Sequence, residues 1–241
     1  MSTANGKPDA KSAPASRRRE ERGETAAASW QHATATYAKF VPFLRQKAGV
    51  EFSGRILELG AGPAWFSAEL SKLPKVVEII VADFEPVPPA GPAGDVFKLL
   101  HAHERKITRR SASPHRLNFP DNHFDSVVCA GVLHDALNLL HLLGEVRRIL
   151  KPGGQLIAVR EPVKPAMRWR GRRGTRAERA LRAPLYSRAD YSGAFERAGL
   201  VLRIKSVSLA RGLKYYFDTM VNGLTHARYV FVGTKQGKFS R

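Results

Sequence analysis

The feature that most constrains this chain is a short apolar segment that runs directly into a pair of glycines. Residues 55–63 read RILELGAGP, and their apolar positions predict a strand over Arg55–Leu59. Glycine carries no Cβ, so Gly60 and Gly62 allow a sharp turn and a close approach to a ligand. The helix predicted over Ala64–Leu73 directs its free N–H groups toward the same turn. The pattern predicts a ligand-binding loop between a strand and a helix.

The residues around the glycines disfavour a dinucleotide as the ligand. A pyrophosphate loop has the pattern G-x-G-x-x-G, whose third glycine allows close packing of helix and strand. In this chain the third position is Trp65. Glu58 lies two residues before Gly60, where its carboxylate repels a pyrophosphate and accepts hydrogen bonds from an ammonium-bearing ligand. The charge therefore argues against NAD.

Two further segments follow in a fixed order. An apolar, β-branched run over Val76–Val81 leads to Asp83, and the later sequence contains FPDNHFDSVVCAGVLH (119–134) and EVRRILKPGG (145–154). With the Glu58-x-Gly60-x-Gly62 loop, these segments resemble the class I S-adenosylmethionine-dependent methyltransferases, and within them the small-molecule methyltransferase domains of type 11. The resemblance covers residues 35 to 235. It implies a Rossmann-like seven-stranded sheet with helices on both faces, and S-adenosylmethionine as cofactor.

The resemblance also implies roles for individual residues. The glycine loop holds the methionine end of the cofactor, with Glu58 assisting through hydrogen bonds, and Asp83 holds the ribose hydroxyls. The other residues expected to bind the cofactor are Tyr37, Ala61, Phe84, Ser113, Leu117 and Ala130.

The adenine segment departs from the family pattern, which has Asp-Ala a few residues before Leu-Pro-Phe. The aligned positions in this chain are Ser113 and Pro114, and proline has no N–H to donate to the adenine ring. A register slipped to Ser111-Ala112 restores a donor. Both registers remain open from the sequence.

His134 is the candidate catalytic residue. It follows the fourth predicted strand, where an imidazole accepts a proton or hydrogen-bonds the cofactor. A structural histidine bonded to a loop carbonyl is the favoured alternative, because methyl transfer depends mainly on alignment and a base is optional. Glu161, Tyr186 and Tyr191 are weaker candidates. Cys129 lies in an apolar run and is interpreted as a buried structural thiol, and the histidines predict no metal site.

Alternating periodicities predict the order of strands and helices. Charges make the third strand, Lys106–Arg110, a poor candidate, and the last two strands are expected as an antiparallel edge pair, Leu200–Leu209 and Arg228–Gly233. The remaining predicted segments are the helix Trp30–Lys47, strand Val76–Ala82, helix Ala93–His103, strand Phe124–Ala130, helix Asn138–Leu150, a K-P-G-G turn, strand Gln155–Val159 and a helix from Ser187 to Ala198 ended by Gly199.

Composition predicts one domain with a tail. The 241 residues are 43% hydrophobic, which suffices for one packed core. Residues 1–28 lack a periodic apolar face and are interpreted as a disordered tail before a domain at 29–241. The sequence has no apolar run near eighteen residues, no hydrophobic N-terminal segment and one cysteine, so a cytoplasmic protein without membrane association is expected.

The net charge of +19 bears on the partner. Residues 163–184 form a basic insert after the fifth strand, with eight Lys and Arg residues and one acid, Glu178. Loops at this edge of a doubly wound sheet overlook the ligand. We expect methyl transfer to an O, N or C atom of a small molecule, and the charge of the insert favours an anionic one. The alternatives are an RNA methyltransferase that contacts phosphates through the insert and tail, and a noncatalytic cofactor-binding module.

Overall fold

The computed structural model describes residues 38–84, 92–113, 116–164, 186–208 and 229–237. Their backbone forms one seven-stranded sheet in the order β3-β2-β1-β4-β5-β7-β6. Strands β1 to β5 are parallel, and β7 pairs antiparallel with both β5 and β6. The strands are β1 (Gly54–Leu59), β2 (Val76–Asp83), β3 (Ile107–Ser111), β4 (Phe124–Ala130), β5 (Leu150–Val159), β6 (Leu200–Ser206) and β7 (Tyr229–Lys235).

Helices cover both faces of this sheet. Helices α1 to α3 share one apolar cluster with the strands, and α4 and α5 share the cluster on the other face. Adjacent residues of β1 point to opposite clusters, Ile56 to the first and Leu57 to the second, as expected of parallel strands buried on both sides. The helices are α1 (38–46), α2 (Trp65–Ser71), α3 (Pro92–Leu99), α4 (Leu139–Ile149) and α5 (Arg188–Arg197), with 3₁₀ turns at Glu104–Lys106 and Leu133–Asp135. The predicted α/β/α sandwich is confirmed.

Two helix starts form as their sequences predict. The Asn138 side chain accepts a hydrogen bond from the N–H of His141 at 3.0 Å. At α5 the Ser187 hydroxyl accepts from the N–H of Asp190, whose carboxylate accepts from the N–H of Ser187, a reciprocal capping box. Gly199, with φ of 73°, follows the end of α5 because it tolerates the left-handed conformation.

The structure differs from three of the predictions of local structure. The charged segment at 107–111 is a true strand, because it lies at the sheet edge with its side chains from 108 to 111 exposed. The K-P-G-G segment lies inside β5 as a bulge, since the pairing with β4 jumps from Phe124–Leu150 to Ser126–Gln155. Helix α3 ends at Leu99 rather than at His103.

Several predictions fall on residues outside the described ranges. These are the tail at 1–28, the part of the first predicted helix from 30 to 37 (with Tyr37), Pro114, Leu209, Arg228 and the part of the basic insert from 165 to 184. Among the described helices, none has the length and apolar character needed to cross a membrane.

Candidate active site

The carboxyl ends of the parallel strands stop at one edge of the sheet. Leu59 of β1 pairs with Ala82 of β2 and with Cys129 of β4, and Asp83 pairs with Ser111 at the end of β3. This register places the glycine loop, the acidic residue at the end of β2 and the loop after β4 side by side. Ligands of open α/β sheets bind at this edge.

The two glycines of the loop have different surroundings. Gly60 has φ of 59°, and its N–H donates to the carbonyl of Ala82 at 2.8 Å. A Cβ at Gly60 would lie 2.8 Å from Cγ2 of Val132, so only glycine fits between the loop and the segment after β4. Gly62 has φ of 49°, and a Cβ there would meet no heavy atom of the described residues within 4 Å. The backbone at Gly62 therefore borders open space in which a ligand can approach it.

Glu58 lies behind the loop rather than on its open side. The residue is 1% exposed, and its Oε2 accepts hydrogen bonds from the N–H of Ser67 at 2.8 Å and from the Ser67 hydroxyl. Burial raises the pKa of Glu58 from 4.5 to about 7, although the two bonds from Ser67 oppose that rise. This geometry corrects one expectation: an N–H of the first turn of α2 serves Glu58 and is not free for a ligand. Ala61 is also buried, at 7% exposure.

Asp83 contacts the glycine loop directly. Its Oδ1 accepts from the N–H of Gly62 at 2.9 Å, and its Oδ2 accepts from Nη1 of Arg109 at 3.1 Å. The same Nη1 also donates to the carbonyl of Gly62 at 3.3 Å. Arg109 thus ties the loop to the end of β2. Phe84 lies beneath the loop, with its ring 3.7 Å from a Cβ built at Gly60.

Sequence reasoning missed Arg109. Its charge makes the segment from 106 to 110 a poor candidate for a strand, so the sequence does not place Arg109 at the edge where the strands end. The useful signal is the parallel register itself: a residue near the end of β3 lies opposite the end of β2. Its guanidinium also stands over the ring of Phe97, 5.6 Å from the ring centre.

The segment expected to contact adenine divides into an edge part and a core part. The N–H of Ala112 donates to the carbonyl of Asp83 at 2.9 Å, so the donor that the slipped register supplies is already bonded to β2. Ser113 is exposed and forms an isolated bridge with Arg116. Leu117 is fully buried, and its N–H donates to Glu145 at 3.0 Å. The structure therefore places Leu117 in the core beside α4, away from the ligand edge.

His134 lies in the 3₁₀ turn after β4 and is paired with a buried carboxylate. Its Nδ1 is 3.1 Å from Oε2 of Glu161, and its Nε2 is 3.2 Å from Oδ1 of Asp135. The hydrogen bond with Glu161 raises the pKa of His134, against the lowering effect of burial. The expected structural alternative was a bond to a loop carbonyl, but the observed partner is a carboxylate.

Glu161 organises the loop that carries His134. Its Oε1 accepts from the N–H groups of Val132 and Leu133 at 2.9 and 3.0 Å, and its Oε2 accepts from the N–H of His134 at 3.1 Å. Three successive backbone donors thus converge on the carboxylate of one buried residue. Sequence reasoning ranked Glu161 among the weaker candidates, because nothing local links positions 132–134 to 161.

The remaining candidates lie around this edge. Ala130, at the end of β4, is half-buried. Cys129 is fully buried and its pKa is raised by that burial, in keeping with a structural thiol. Tyr191 is also fully buried and donates to the carbonyl of Pro162 at 3.4 Å. Within the described ranges, no three His, Cys, Asp or Glu side chains cluster as metal ligands would.

A cavity of about 410 Å³ lies at the opposite edge of the sheet, between the start of β1 and the bulge in β5. Its lining includes Glu51, Asp125, Lys151 and Gly153. Lys151 donates to both oxygens of Asp125 at 2.8 Å, so these charges are mutually paired. The cavity lies at the opposite edge from the carboxyl ends of the strands, so it is not the candidate active site.

Comparison with known proteins agrees with this geometry. Residues 57–158 match the family described as a methyltransferase domain. The chain is 31% identical over 103 residues to a demethylmenaquinone methyltransferase of Mycobacterium marinum, a match covering 43% of this chain and 39% of that protein. It is 27% identical over 126 residues to the ubiquinone/menaquinone biosynthesis C-methyltransferase UbiE of Pseudomonas fluorescens, covering 48% and 45%. The chain therefore spans less than half the length of these relatives.

Solved structures share the fold. The methyltransferase in a complex with the Trm112 activator of Haloferax volcanii superposes with a TM-score of 0.64 at 19% identity, over 92% of this chain and 99% of that one. Phosphoethanolamine N-methyltransferase 2 of Haemonchus contortus, bound to S-adenosyl-L-methionine, gives 0.60 at 14% identity, over 82% and 52%.

Fold and site together define a Rossmann-like nucleotide-cofactor domain of the class I methyltransferase type. With the match over residues 57–158, they support a class I S-adenosylmethionine-dependent methyltransferase domain in this chain. The cofactor of that family is S-adenosylmethionine, as the sequence predicts.

Proposed function

We propose that this protein transfers the methyl group of S-adenosylmethionine to an O, N or C atom of a small molecule. The observation that carries the proposal is the open side of Gly62 next to Asp83, at the edge where the parallel strands end. A glycine backbone bordering open space and a carboxylate at the end of β2 are the two groups that an adenosyl cofactor requires there.

The residues at this edge fit the cofactor. Gly60 and Gly62 bring the backbone near the methionine end, and Glu58 supports the loop from behind through Ser67. Asp83 is oriented by Gly62 and Arg109, so its carboxylate is in place for the ribose hydroxyls. The bound cofactor supplies a methyl group already activated by a sulfonium charge. The remaining task of the chain is to align the acceptor opposite the leaving sulfur and exclude water.

The relatives suggest which acceptors to test first. Their names refer to demethylmenaquinone and to ubiquinone/menaquinone biosynthesis, which makes a reduced quinone ring a reasonable first carbon acceptor. A 1,4-naphthoquinol, a catechol and a small primary amine represent carbon, oxygen and nitrogen nucleophiles. Transfer of radioactivity from methyl-labelled S-adenosylmethionine to one of them identifies the methylated atom.

Binding experiments test the proposal at its first step. Isothermal titration should show binding of S-adenosylmethionine and S-adenosylhomocysteine in preference to NAD. Micromolar binding of NAD with no response to either adenosyl compound would overturn the assignment. Cofactor binding without transfer to any acceptor or RNA would favour a noncatalytic module.

An RNA methyltransferase is the second candidate, favoured by the net charge of +19. RNA binding by cationic side chains weakens steeply with salt because counterions are released. Replacing Arg170, Arg172 and Arg173 of the basic insert with Gln separates the two candidates. Loss of RNA binding alone supports the RNA methyltransferase. A raised KM for a small anionic acceptor supports contact between the insert and the acceptor. Unchanged values for both would exclude a substrate role for these arginines.

A further inference from the structure

We infer that Glu161 is a positioning residue that fixes His134 with Nε2 as its titrating atom, and that His134 accepts the proton released by the methyl acceptor. The inference rests on the proposed function and deepens it. Its basis is the geometry of the loop after β4, where one buried carboxylate holds both the backbone of the turn and one nitrogen of the imidazole.

The two imidazole nitrogens face carboxylates of very different exposure. The side chain of Glu161 is 0% exposed and that of Asp135 is 67% exposed. An ionised carboxylate only accepts hydrogen bonds, so a proton stays on Nδ1 where water cannot compete for Glu161. Water does compete for Asp135 at Nε2. The proton at Nε2 is therefore the one gained and lost, and the neutral ring carries its proton on Nδ1.

The loop that carries His134 contacts the glycine loop through Val132. Cγ2 of Val132 is 2.8 Å from a Cβ built at Gly60, and Cε1 of His134 is 3.7 Å from one built at Gly131, directly after β4. His134 thus lies two residues after the contact with the glycine loop and packs against the residue that follows β4. This position is at the edge where the parallel strands end and where the acceptor must approach.

The proposed step balances in atoms and charge. As the bond between acceptor and methyl carbon forms, the electron pair of the broken carbon–sulfur bond stays on sulfur. The proton that the acceptor loses passes to Nε2 of His134 and later to water. Glu161 stabilises the resulting imidazolium through its hydrogen bond with Nδ1.

Among the described residues, the carboxylates facing His134 are Glu161, from the segment after β5, and Asp135, on its own turn. Tyr191 of α5 and Cys129 of β4 are coupled to Glu161, and burial raises the pKa of both. Glu58 is coupled to Cys129, and burial raises its pKa to about 7. A pH-dependent change is therefore assigned to His134 by its own imidazole signals and by the His134→Gln variant.

Imidazole NMR tests the positioning role without any acceptor. In ¹⁵N spectra of the free protein from pH 5 to 9, His134 should titrate above pH 6.5 and carry its neutral-form proton on Nδ1. Glu161→Gln should lower that midpoint, because the hydrogen bond that favours the protonated ring is lost, and should weaken the tautomer preference. Asp135→Asn is the matched control and should change the titration midpoint of His134 much less. A neutral ring protonated on Nε2, or a midpoint unchanged in Glu161→Gln, would overturn the inference.

A second measurement on the wild-type chain locates His134 relative to the reacting methyl group, even if Glu161→Gln does not fold. The S-adenosylmethionine sulfonium is cationic and the S-adenosylhomocysteine sulfur is neutral. If His134 lies close to that sulfur, its protonation at low pH should lower the affinity for S-adenosylmethionine relative to S-adenosylhomocysteine by about threefold or more. In His134→Gln the ratio of the two affinities should not change with pH. A flat wild-type ratio with normal S-adenosylhomocysteine binding overturns this inference alone, whereas absent binding of both compounds overturns the proposed function.

Discussion

Replacing Glu58 with Gln should remove a pH-dependent cost from folding. Glu58 is fully buried and its pKa rises from 4.5 to about 7 because burial disfavours the carboxylate. Between these pH values the folded chain keeps a proton that the unfolded chain releases. The free energy of unfolding therefore falls as the pH rises through this window. At about 1.4 kcal/mol per pH unit, the full cost is about 3 kcal/mol above pH 7.

The glutamine has nearly the same shape and an oxygen that accepts both hydrogen bonds from Ser67. We expect Glu58→Gln to be close to wild type in stability at pH 5 and more stable by about 3 kcal/mol at pH 8. Urea denaturation at pH 5, 6, 7 and 8 measures the difference. Glu51→Gln is the matched control, since that side chain is 85% exposed, and its curve should parallel that of the wild type.

Parallel curves for Glu58→Gln and wild type would refute this reasoning, because they would mean that Glu58 has the same proton affinity in the folded and unfolded chains. Titration of S-adenosylhomocysteine on the same samples tests the predicted role in cofactor binding. A role through Ser67 leaves the affinity nearly unchanged in the glutamine variant. A contact with the cofactor's ammonium group instead weakens binding about tenfold or more.

Three further predictions concern the glycine loop, Asp83 beside it, and the segment before β4. Asp83→Ala should weaken S-adenosylhomocysteine binding by about 1 to 3 kcal/mol in a folded protein, and unchanged affinity by calorimetry would place the ribose contact elsewhere. Gly60→Ala should lower the melting temperature strongly because its Cβ has no room, whereas Gly62→Ala should cost only about 1 to 2 kcal/mol of stability but reduce cofactor affinity. The reverse order of the two variants would contradict the loop geometry. Arg148→Met should destabilise the fold by about 1 to 3 kcal/mol, since its guanidinium donates to two backbone carbonyls at 2.8 Å, and an unchanged urea midpoint would show these bonds to be dispensable.

Much of the secondary structure follows from local chemistry. The caps at Asn138 and Ser187 depend on a side chain and an N–H three residues apart, and a sequence displays that spacing directly. The buried parallel strands are also visible in the sequence, as apolar runs, because burial on both faces leaves no polar position. The edge strand β3 is harder to recognise, since exposure at the sheet edge allows charged residues where a central strand excludes them.

The sequence by itself indicated the family and the cofactor class, and it predicted Gly60, Gly62 and Asp83 as cofactor-binding residues, because each lies within or shortly after one recognisable strand. Only the tertiary structure decided what these residues touch. Arg109 reaches Asp83 across 26 positions, and the N–H of Leu133 reaches Glu161 across 28. Such partners are chosen by strand order and register. These arise from packing the whole sheet, and no local pattern of residues encodes them.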